Sequence, residues 1–219
     1  MRVLIFFSMA RTRHISHCLM LPTRCTRVVV VALAVLAVAC GDLTKPKAST
    51  PNLALSYTLT AFTGGPVNVA NAINFLGGST RADSRFAFDV ALDLDPAGNV
   101  QVLPVRYVAG SLGSATYLQQ TGTPLKRVGL QKVPGSFDAL REAPTTGYDT
   151  LGVQTIAPGA VLAVELLDFA NCYTGFGGST LYAKLTVDSV DANRRIYTRT
   201  VSDPNCGYRG LVPDSIPTR

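Results

Sequence analysis

Apolar residues alternate with other residues from position 86 to position 94. One face of an extended chain would carry Phe86, Phe88, Val90, Leu92 and Leu94. The opposite face would carry Ala87, Asp89, Ala91 and Asp93. Because successive side chains of a strand point to opposite faces, this period of two predicts a half-buried β-strand over residues 86–94.

The residues after this segment favour a tight turn that reverses the direction of the chain. Residues 95–99 read DPAGN, in which proline presets φ and glycine accepts a positive φ, as a tight turn requires. Residues 100–108 are therefore predicted to be the partner strand of a hairpin. Pro104 is expected at an edge or a bulge, because proline has no N–H group to donate.

Similar segments recur through the rest of the chain. A second hairpin is predicted from residues 181–187 and 195–201, with Asp-Ala-Asn at 191–193 as its turn. Further strands are predicted at residues 56–62, 127–133 and 160–167. No segment keeps a helical period for three turns, although residues 136–142 suit one short turn. Seven or eight strands predict an all-β domain, a single antiparallel sandwich or barrel.

The positive charge of the chain is concentrated at its N-terminal end. The formal net charge is +6, but residues 1–40 hold five arginines and no acidic residue. Residues 41–219 hold fifteen lysines and arginines against fourteen acidic residues, so this part is almost neutral. Binding of nucleic acid needs a net basic face, and we therefore expect no nucleic-acid partner.

The first 39 residues have the order of a signal peptide. Arg24 and Arg27 precede twelve consecutive apolar residues at 28–39, and a cysteine follows at position 40. As a helix, twelve residues extend only about 18 Å, which is short for a hydrocarbon core of about 30 Å. A complete signal can begin at Met20, and we predict that residues 20–39 are the working leader.

The end of the leader carries a recognisable motif. Ala37-Val38-Ala39-Cys40 resembles the lipobox of bacterial lipoproteins, in which the cysteine is acylated and becomes the mature N-terminus; Ala37 stands where leucine is commoner. The resemblance implies attachment to a lipid bilayer through Cys40. Gly41, where aspartate commonly retains such proteins at the inner membrane, implies an outer-membrane location in the cell envelope. A plain secretory signal and an uncleaved anchor or core thiol are the alternatives.

The segment after Cys40 has little to bury. Residues 42–51 are polar and contain two prolines, which is typical of a linker. The predicted organisation is therefore a signal peptide at residues 1–39, a lipidated N-terminus and flexible tether at 40–52, and a β domain at 53–219.

The cysteine count of the mature chain predicts one disulfide bond. Acylation of Cys40 leaves Cys172 and Cys206, and an even pair in an exported protein is typical of a disulfide. The alternative, a reactive thiol pair, has no Cys-x-x-Cys spacing to support it.

Several catalytic classes are excluded because both histidines, His14 and His17, belong to the leader. Without imidazole, the mature domain cannot hold Ser-His-Asp or Cys-His catalysis or a histidine-based zinc or copper site. Phosphate-binding loops and dinucleotide fingerprints do not occur either. We therefore expect no enzyme activity and no cofactor.

Carboxylate chemistry remains. Asp93 and Asp95 with Asn99 faintly suggest a calcium loop, because hard cations take several oxygen ligands. The same residues suit an ordinary turn without an ion, so the expectation is no metal, with these three as the calcium candidates. Glu142 and Glu165 are the only glutamates, and nothing in the sequence pairs them.

A second resemblance concerns the segment Tyr182-Ala183-Lys184-Leu185 and the glycine-rich turn before it. This segment resembles the C-terminal strand of HmuY-type surface lipoproteins, which capture haem. Haem ligation in that family depends on histidines, and this mature domain has none, so the activity does not carry over. The sequence thus predicts a non-catalytic binding or envelope-structural role. The alternatives are a carboxylate-dependent extracytoplasmic hydrolase and a small-ligand carrier.

Overall fold

The computed structural model describes residues 47–167, Cys172 and residues 180–218. The larger sheet has the strand order β1-β10-β9-β8-β6 and the smaller sheet has the order β3-β2-β4-β5-β7. The strands are β1 Leu53–Thr60, β2 Ala72–Asn74, β3 Gly78–Thr80, β4 Val90–Leu94, β5 Val100–Pro104, β6 Arg127–Val133, β7 Gln154–Ile156, β8 Val161–Leu167, β9 Leu181–Val190 and β10 Arg195–Asp203. Every neighbouring pair is antiparallel. The all-β prediction is confirmed, and its sandwich form is the one found.

Five predicted strands, found as β1, β6, β8, β9 and β10, are present with small shifts of their ends. β6 has the predicted bounds, and β1 and β8 begin and end within three residues of theirs. The β9–β10 hairpin also forms, and the N–H of Asp191 donates to the carbonyl of Arg195 at 3.0 Å to close its turn. β2, β3 and β7 were not predicted, because three residues are too few to show a period of two.

The predicted strand at 86–94 is wrong over its first half. The strand begins only at Val90, because a turn in which Phe86 has a φ of 51° precedes it. The face predicted to be exposed is also wrong, since Asp89 and Asp93 are both buried. Burial is possible because each carboxylate has hydrogen-bond partners, Lys126 for Asp89 and Thr63 for Asp93.

The predicted partner strand at 100–108 is likewise shorter than expected. β5 ends at Pro104, which has no N–H for a sheet ladder, and residues Val105–Val108 form one helical turn, α1. A short 3-10 turn at Gly110–Leu112 and helix α2 at Ser114–Thr121 follow. None of the helices among the described residues is long and apolar enough to cross a membrane.

The inner faces of the two sheets bury one common core. Its largest fully buried apolar side chains come from both sheets and the loops between them: Phe75, Phe88, Leu59, Ile73, Leu92, Leu130, Leu162 and Leu185. Burial of such side chains contributes about 1.5–3 kcal/mol each, which makes this core the main source of stability.

Two loop segments cover the outer face of the larger sheet. Residues 134–150 and 204–218 pair with each other, since the N–H of Ala143 donates to Arg209 and that of Leu211 donates to Arg141, both at 2.8 Å. Under them, a small second core contains Phe137, Val161 and Val201. We call these two segments the outer layer.

A fully buried lysine holds the outer layer to the sheet. Lys184 on β9 has no exposed surface, and its Nζ donates to the carbonyls of Phe137 at 2.7 Å and Leu140 at 2.8 Å. The same Nζ lies 4.5 Å from the centroid of the Phe137 ring. Burial lowers the pKa of Lys184, and the nearby charge of Asp138 opposes that shift.

Replacement of Lys184 by methionine should lower the free energy of unfolding by about 2 kcal/mol, because two carbonyl groups of the outer layer lose their donor. Urea denaturation of the purified domain measures this loss. Lys132→Met is the matched control, because Lys132 is exposed on β6, and it should leave the midpoint nearly unchanged. Equal midpoints for the two variants would contradict the role given to Lys184.

The last residues of the predicted tether are held against the domain. The N–H groups of Ser49 and Thr50 donate to Oδ1 of Asn205 at 3.0 and 3.1 Å. Nδ2 of Asn52 donates to the carbonyls of Gly210 and Val212 at 2.7 and 2.9 Å. Within the segment predicted as a flexible tether, residues 40–52, the four residues 49–52 are therefore part of the folded domain.

Candidate functional site

The outer face of the larger sheet carries a half-buried group of polar and aromatic side chains. Gly129, Glu165 and Tyr182 are direct neighbours across β6, β8 and β9. Tyr148, from the outer layer, lies over Gly129. We call Glu165, Tyr182 and Tyr148 the tyrosine–glutamate cluster.

Gly129 makes room for this cluster. A Cβ atom at position 129 would lie 2.8 Å from the Cβ of Tyr148, closer than real Cβ atoms approach. The absence of a side chain therefore lets Tyr148 approach the sheet, where its ring centroid lies 6.3 Å from that of Tyr182. The Tyr148 hydroxyl donates to the carbonyl of Pro144 at 3.1 Å, which fixes the direction of the ring.

The electrostatics of the cluster favour protonated groups. Burial raises the pKa of Glu165, while the Tyr182 hydroxyl, which donates to Oε1 at 3.4 Å, and the charge of Arg127 act in the opposite direction. Burial also raises the pKa of Tyr148 and Tyr182, and the charge of Glu165 adds to both shifts. Each of these raised values disfavours negative charge in the cluster.

The outer layer contains an ion pair and a cleft that share Glu142. Arg209 forms a salt bridge with Glu142 and donates to the carbonyl of Ala143 at 3.1 Å. Its positive charge also opposes the upward shifts of the pKa of Tyr148 and Tyr182. Glu142 lines a cleft of about 200 Å³, together with Arg141, Ser215 and Ile216.

The arrangement offers several kinds of interaction to a ligand. Glu142 and Arg141 provide an acceptor and a donor at the cleft, and Ile216 provides an exposed apolar surface. Because the pKa of Glu165 is raised, this carboxyl group keeps its proton to a higher pH than an ordinary glutamate, which is a property of a general acid.

A pH dependence of stability follows from Glu165. Because its pKa is raised on folding, the folded state binds more protons than the unfolded state above about pH 4.5, the ordinary value. The stability that Glu165 contributes when protonated is therefore lost as the pH rises through the folded-state pKa. Glu165→Gln should remove this loss, so the variant should gain melting temperature relative to the wild type between pH 4 and pH 7. A constant difference across that range would show that Glu165 does not titrate there.

The predicted disulfide pair is brought together. The sulfur atoms of Cys172 and Cys206 lie at disulfide-bond distance, with their Cα atoms 5.5 Å apart. Cys172 is buried and Cys206 follows the end of β10, so the bond ties the chain beyond β8 to the outer layer. The lipidation residue Cys40 lies outside the described residues.

The calcium candidates are not brought together as a metal site. Asp93 accepts from the hydroxyl and the N–H of Thr63 at 2.6 and 3.2 Å. Asp95 accepts from the side chain and the N–H of Asn99 at 2.9 and 2.8 Å, which closes the β4–β5 turn. In residues 47–167, Cys172 and 180–218, no three His, Cys, Asp or Glu side chains are grouped in a way that could hold a metal ion.

The sequence did not connect Glu142, Tyr148, Glu165 and Arg209, which come from separate parts of the chain. The one local signal was Gly129, because a glycine inside a strand often marks a close approach of another segment. No protein-family model, no curated protein and no solved structure matches the chain.

Proposed function

We propose that the protein is a lipid-anchored protein of the bacterial cell envelope whose β sandwich binds a small polar ligand on the outer face of its larger sheet. The observation that carries the binding proposal is the cleft lined by Arg141 and by Glu142, which forms an ion pair with Arg209.

The size and lining of the cleft favour a small ligand with hydrogen-bonding groups. A volume of about 200 Å³ is below the range of roughly 300–1,000 Å³ that suits drug-sized ligands. Arg141 and Glu142 bring opposite charges to the lining, so a neutral ligand with both donors and acceptors matches it better than a strongly charged one.

The lipid anchor is supported by the leader. Twelve apolar residues end at Cys40 in a lipobox-like sequence, and an acylated cysteine supplies the two or more lipid signals that stable anchoring needs. The nearly neutral charge of residues 41–219 also suits a domain whose attachment depends on lipid instead of a basic surface.

Native mass spectrometry of protein extracted from host membranes tests the binding site. We expect a bound small molecule on the wild type, and at least a tenfold loss of its occupancy in Glu142→Gln and in Arg141→Gln, because both side chains line the cleft. Asp83→Asn is the control, since Asp83 does not line the cleft and forms a salt bridge with the exposed Arg85. A ligand retained in all variants, or a wild type without ligand, would refute the proposed site.

Intact mass of the same extract under denaturing conditions tests the anchor. The expected mass is that of a chain beginning at Cys40 with added acyl groups, and Cys40→Ser should lose them. An unmodified chain cut at another residue would exclude lipidation at Cys40.

Glu165 favours a second candidate function, a carboxylate-dependent hydrolase. Its raised pKa and its hydrogen bond with Tyr182 are properties of a general acid. In that case Glu165→Gln should abolish turnover of the substrate without a fall in melting temperature. A binding protein should show changes in affinity and stability alone.

A further inference from the structure

The strand β1 forms an edge of the larger sheet that lacks the usual protection of edge strands. Its eight residues, LALSYTLT, contain no charged residue, proline or glycine. They pair with β10 in one unbroken register over their whole length. Natural proteins protect exposed edges with charges, prolines, bulges or covering loops, because unpaired N–H and C=O groups recruit further strands.

The other edges of the two sheets are short or covered. β3 and β7, which flank the smaller sheet, have three residues each. β6, at the opposite edge of the larger sheet, exchanges backbone hydrogen bonds with Asp149 at 2.9 Å in both directions through Leu130. Among the described strands, β1 is thus the long edge on which another strand has room to pair.

Backbone hydrogen bonds at its two ends define the open part of this edge. The N–H of Asn52 donates to Ser215 and the N–H of Thr60 donates to Ala70, both at 2.9 Å and both away from β10. Because backbone groups of alternate residues point to the same side, those of Ala54, Ser56 and Thr58 point to this side as well. Within the described part of the chain, these three residues have no backbone partner there.

This opening is symmetric about Ser56. It is closed four residues before Ser56, at Asn52, and four residues after it, at Thr60. In a second copy of β1 related by a two-fold axis at Ser56, Thr60 lies opposite Asn52 of the first copy, and Asn52 lies opposite Thr60. The residues that already have backbone partners in each copy therefore face each other. A second copy of β1 therefore fits the opening over its full length.

We propose that two copies of this chain pair through β1 in an antiparallel arrangement, with Ser56 opposite Ser56 of the second copy. Ala54 then lies opposite Thr58 of the second copy, and the three outward-facing residues of each strand form up to six interchain hydrogen bonds. The two five-stranded sheets become one continuous sheet of ten strands. The pairing is isologous, as closed two-fold dimers require.

The side chains of β1 also match those of a second copy. On the inner face, half-buried Leu55 meets Tyr57 of the other chain, and Leu53 meets Leu59. On the outer face, small uncharged side chains meet each other, so no like charges oppose the contact. Cross-strand pairs of aromatic and aliphatic residues contribute roughly 0.2–1 kcal/mol each.

Cysteine cross-linking of the full-length protein in its native membranes tests this register. Ser56→Cys should give a disulfide-linked dimer on mild oxidation, since the two Cα atoms of a hydrogen-bonded pair lie about 5.5 Å apart. Thr58→Cys is the matched control, because the two copies of residue 58 are offset by about 13 Å along the strands and should not cross-link. The double variant Ala54→Cys/Thr58→Cys should cross-link again. Absence of the Ser56→Cys dimer, or equal cross-linking of the two single variants, would overturn the proposal.

A charge on the two-fold axis provides a second, independent test. Ser56→Lys places two ammonium groups opposite each other, each beside Arg199, the neighbour of Ser56 on β10. In analytical ultracentrifugation of the detergent-solubilised full chain, the wild type should sediment as a dimer and Ser56→Lys as a monomer with unchanged circular dichroism. A monomeric wild type, with or without a different protein bound along β1, would rule out the second copy as the occupant.

Discussion

Replacement of Asp89 by alanine is expected to lower the free energy of unfolding by about 3–5 kcal/mol. Asp89 is 1% exposed and accepts from Nζ of Lys126 at 2.6 Å and from the N–H of Phe75 at 2.8 Å. It lies directly before β4 in the smaller sheet, and Lys126 lies directly before β6 in the larger sheet. The substitution therefore leaves an ammonium group and a buried N–H without their acceptor and removes a contact between the sheets.

A second ion pair in the same domain gives the comparison for this prediction. Asp83 and Arg85 also lie 2.6 Å apart, but the Arg85 side chain is 80% exposed. Water screens such a pair, so Asp83→Ala should have a much smaller effect. Guanidinium denaturation of both variants at neutral pH measures the difference. Similar losses for Asp83→Ala and Asp89→Ala would mean that burial does not determine the strength of the Asp89–Lys126 pair.

Removal of the bond between Cys172 and Cys206 is expected to cost roughly 4 kcal/mol in the chain-entropy description, because the bond closes a loop across a separation of 34 residues. The loop includes β9 and β10, so its closure restricts the unfolded chain over the centre of the larger sheet. The variant Cys172→Ala/Cys206→Ala should therefore unfold at a markedly lower denaturant concentration than the oxidised wild type.

Treatment with a reductant distinguishes the effect of losing the disulfide bond from the effect of losing the side-chain packing of the cysteines. Dithiothreitol should move the wild-type transition toward that of the double variant and should leave the double variant unchanged. If the reductant has no effect on the wild type while iodoacetamide labels both cysteines, the bond does not contribute to stability. Any remaining difference between the reduced wild type and the double variant measures the packing of buried Cys172.

Periodicity and turn residues predicted the positions of the long strands of the larger sheet well. β6 was found at its predicted bounds, and the β9–β10 turn was identified from its Asp and Asn residues. The pattern failed at β4, because the partners that bury Asp89 and Asp93 come from Lys126 and Thr63, which are distant in the sequence. Hydrophobicity alone cannot predict a polar side chain whose burial depends on a remote partner.

β10 also has polar residues on the buried inner face of the sheet, which hydrophobicity alone does not predict. Its residues Thr198, Thr200 and Ser202 lie opposite Val187, Leu185 and Ala183 of the core. Both faces of this strand therefore carry polar residues, and the sequence does not indicate which one is buried.

The sequence predicted less of the candidate site than of the fold. The disulfide bond could be predicted from the number of cysteines, because Cys172 and Cys206 are the two that follow Cys40 in the sequence. The sequence did not indicate the partner of Glu142, since Arg209 is 67 residues from it along the chain. Only the folded sheet brings Glu165 and Tyr182 to one face, where Gly129 leaves room for Tyr148.

The hydrogen bonds of Ser49 and Thr50 with Asn205 limit the reach of the domain from the membrane. Ser49 follows Cys40 by nine positions, and a fully extended chain of that length covers about 30 Å. With the lipid on Cys40 that we propose, Ser49, where the chain joins the domain, stays within about 30 Å of the lipid headgroups, which is about the thickness of one hydrocarbon core. The ligand that we propose would then be bound near the membrane surface, and a change in the length of residues 41–48 would change the distance from the membrane that the domain can reach.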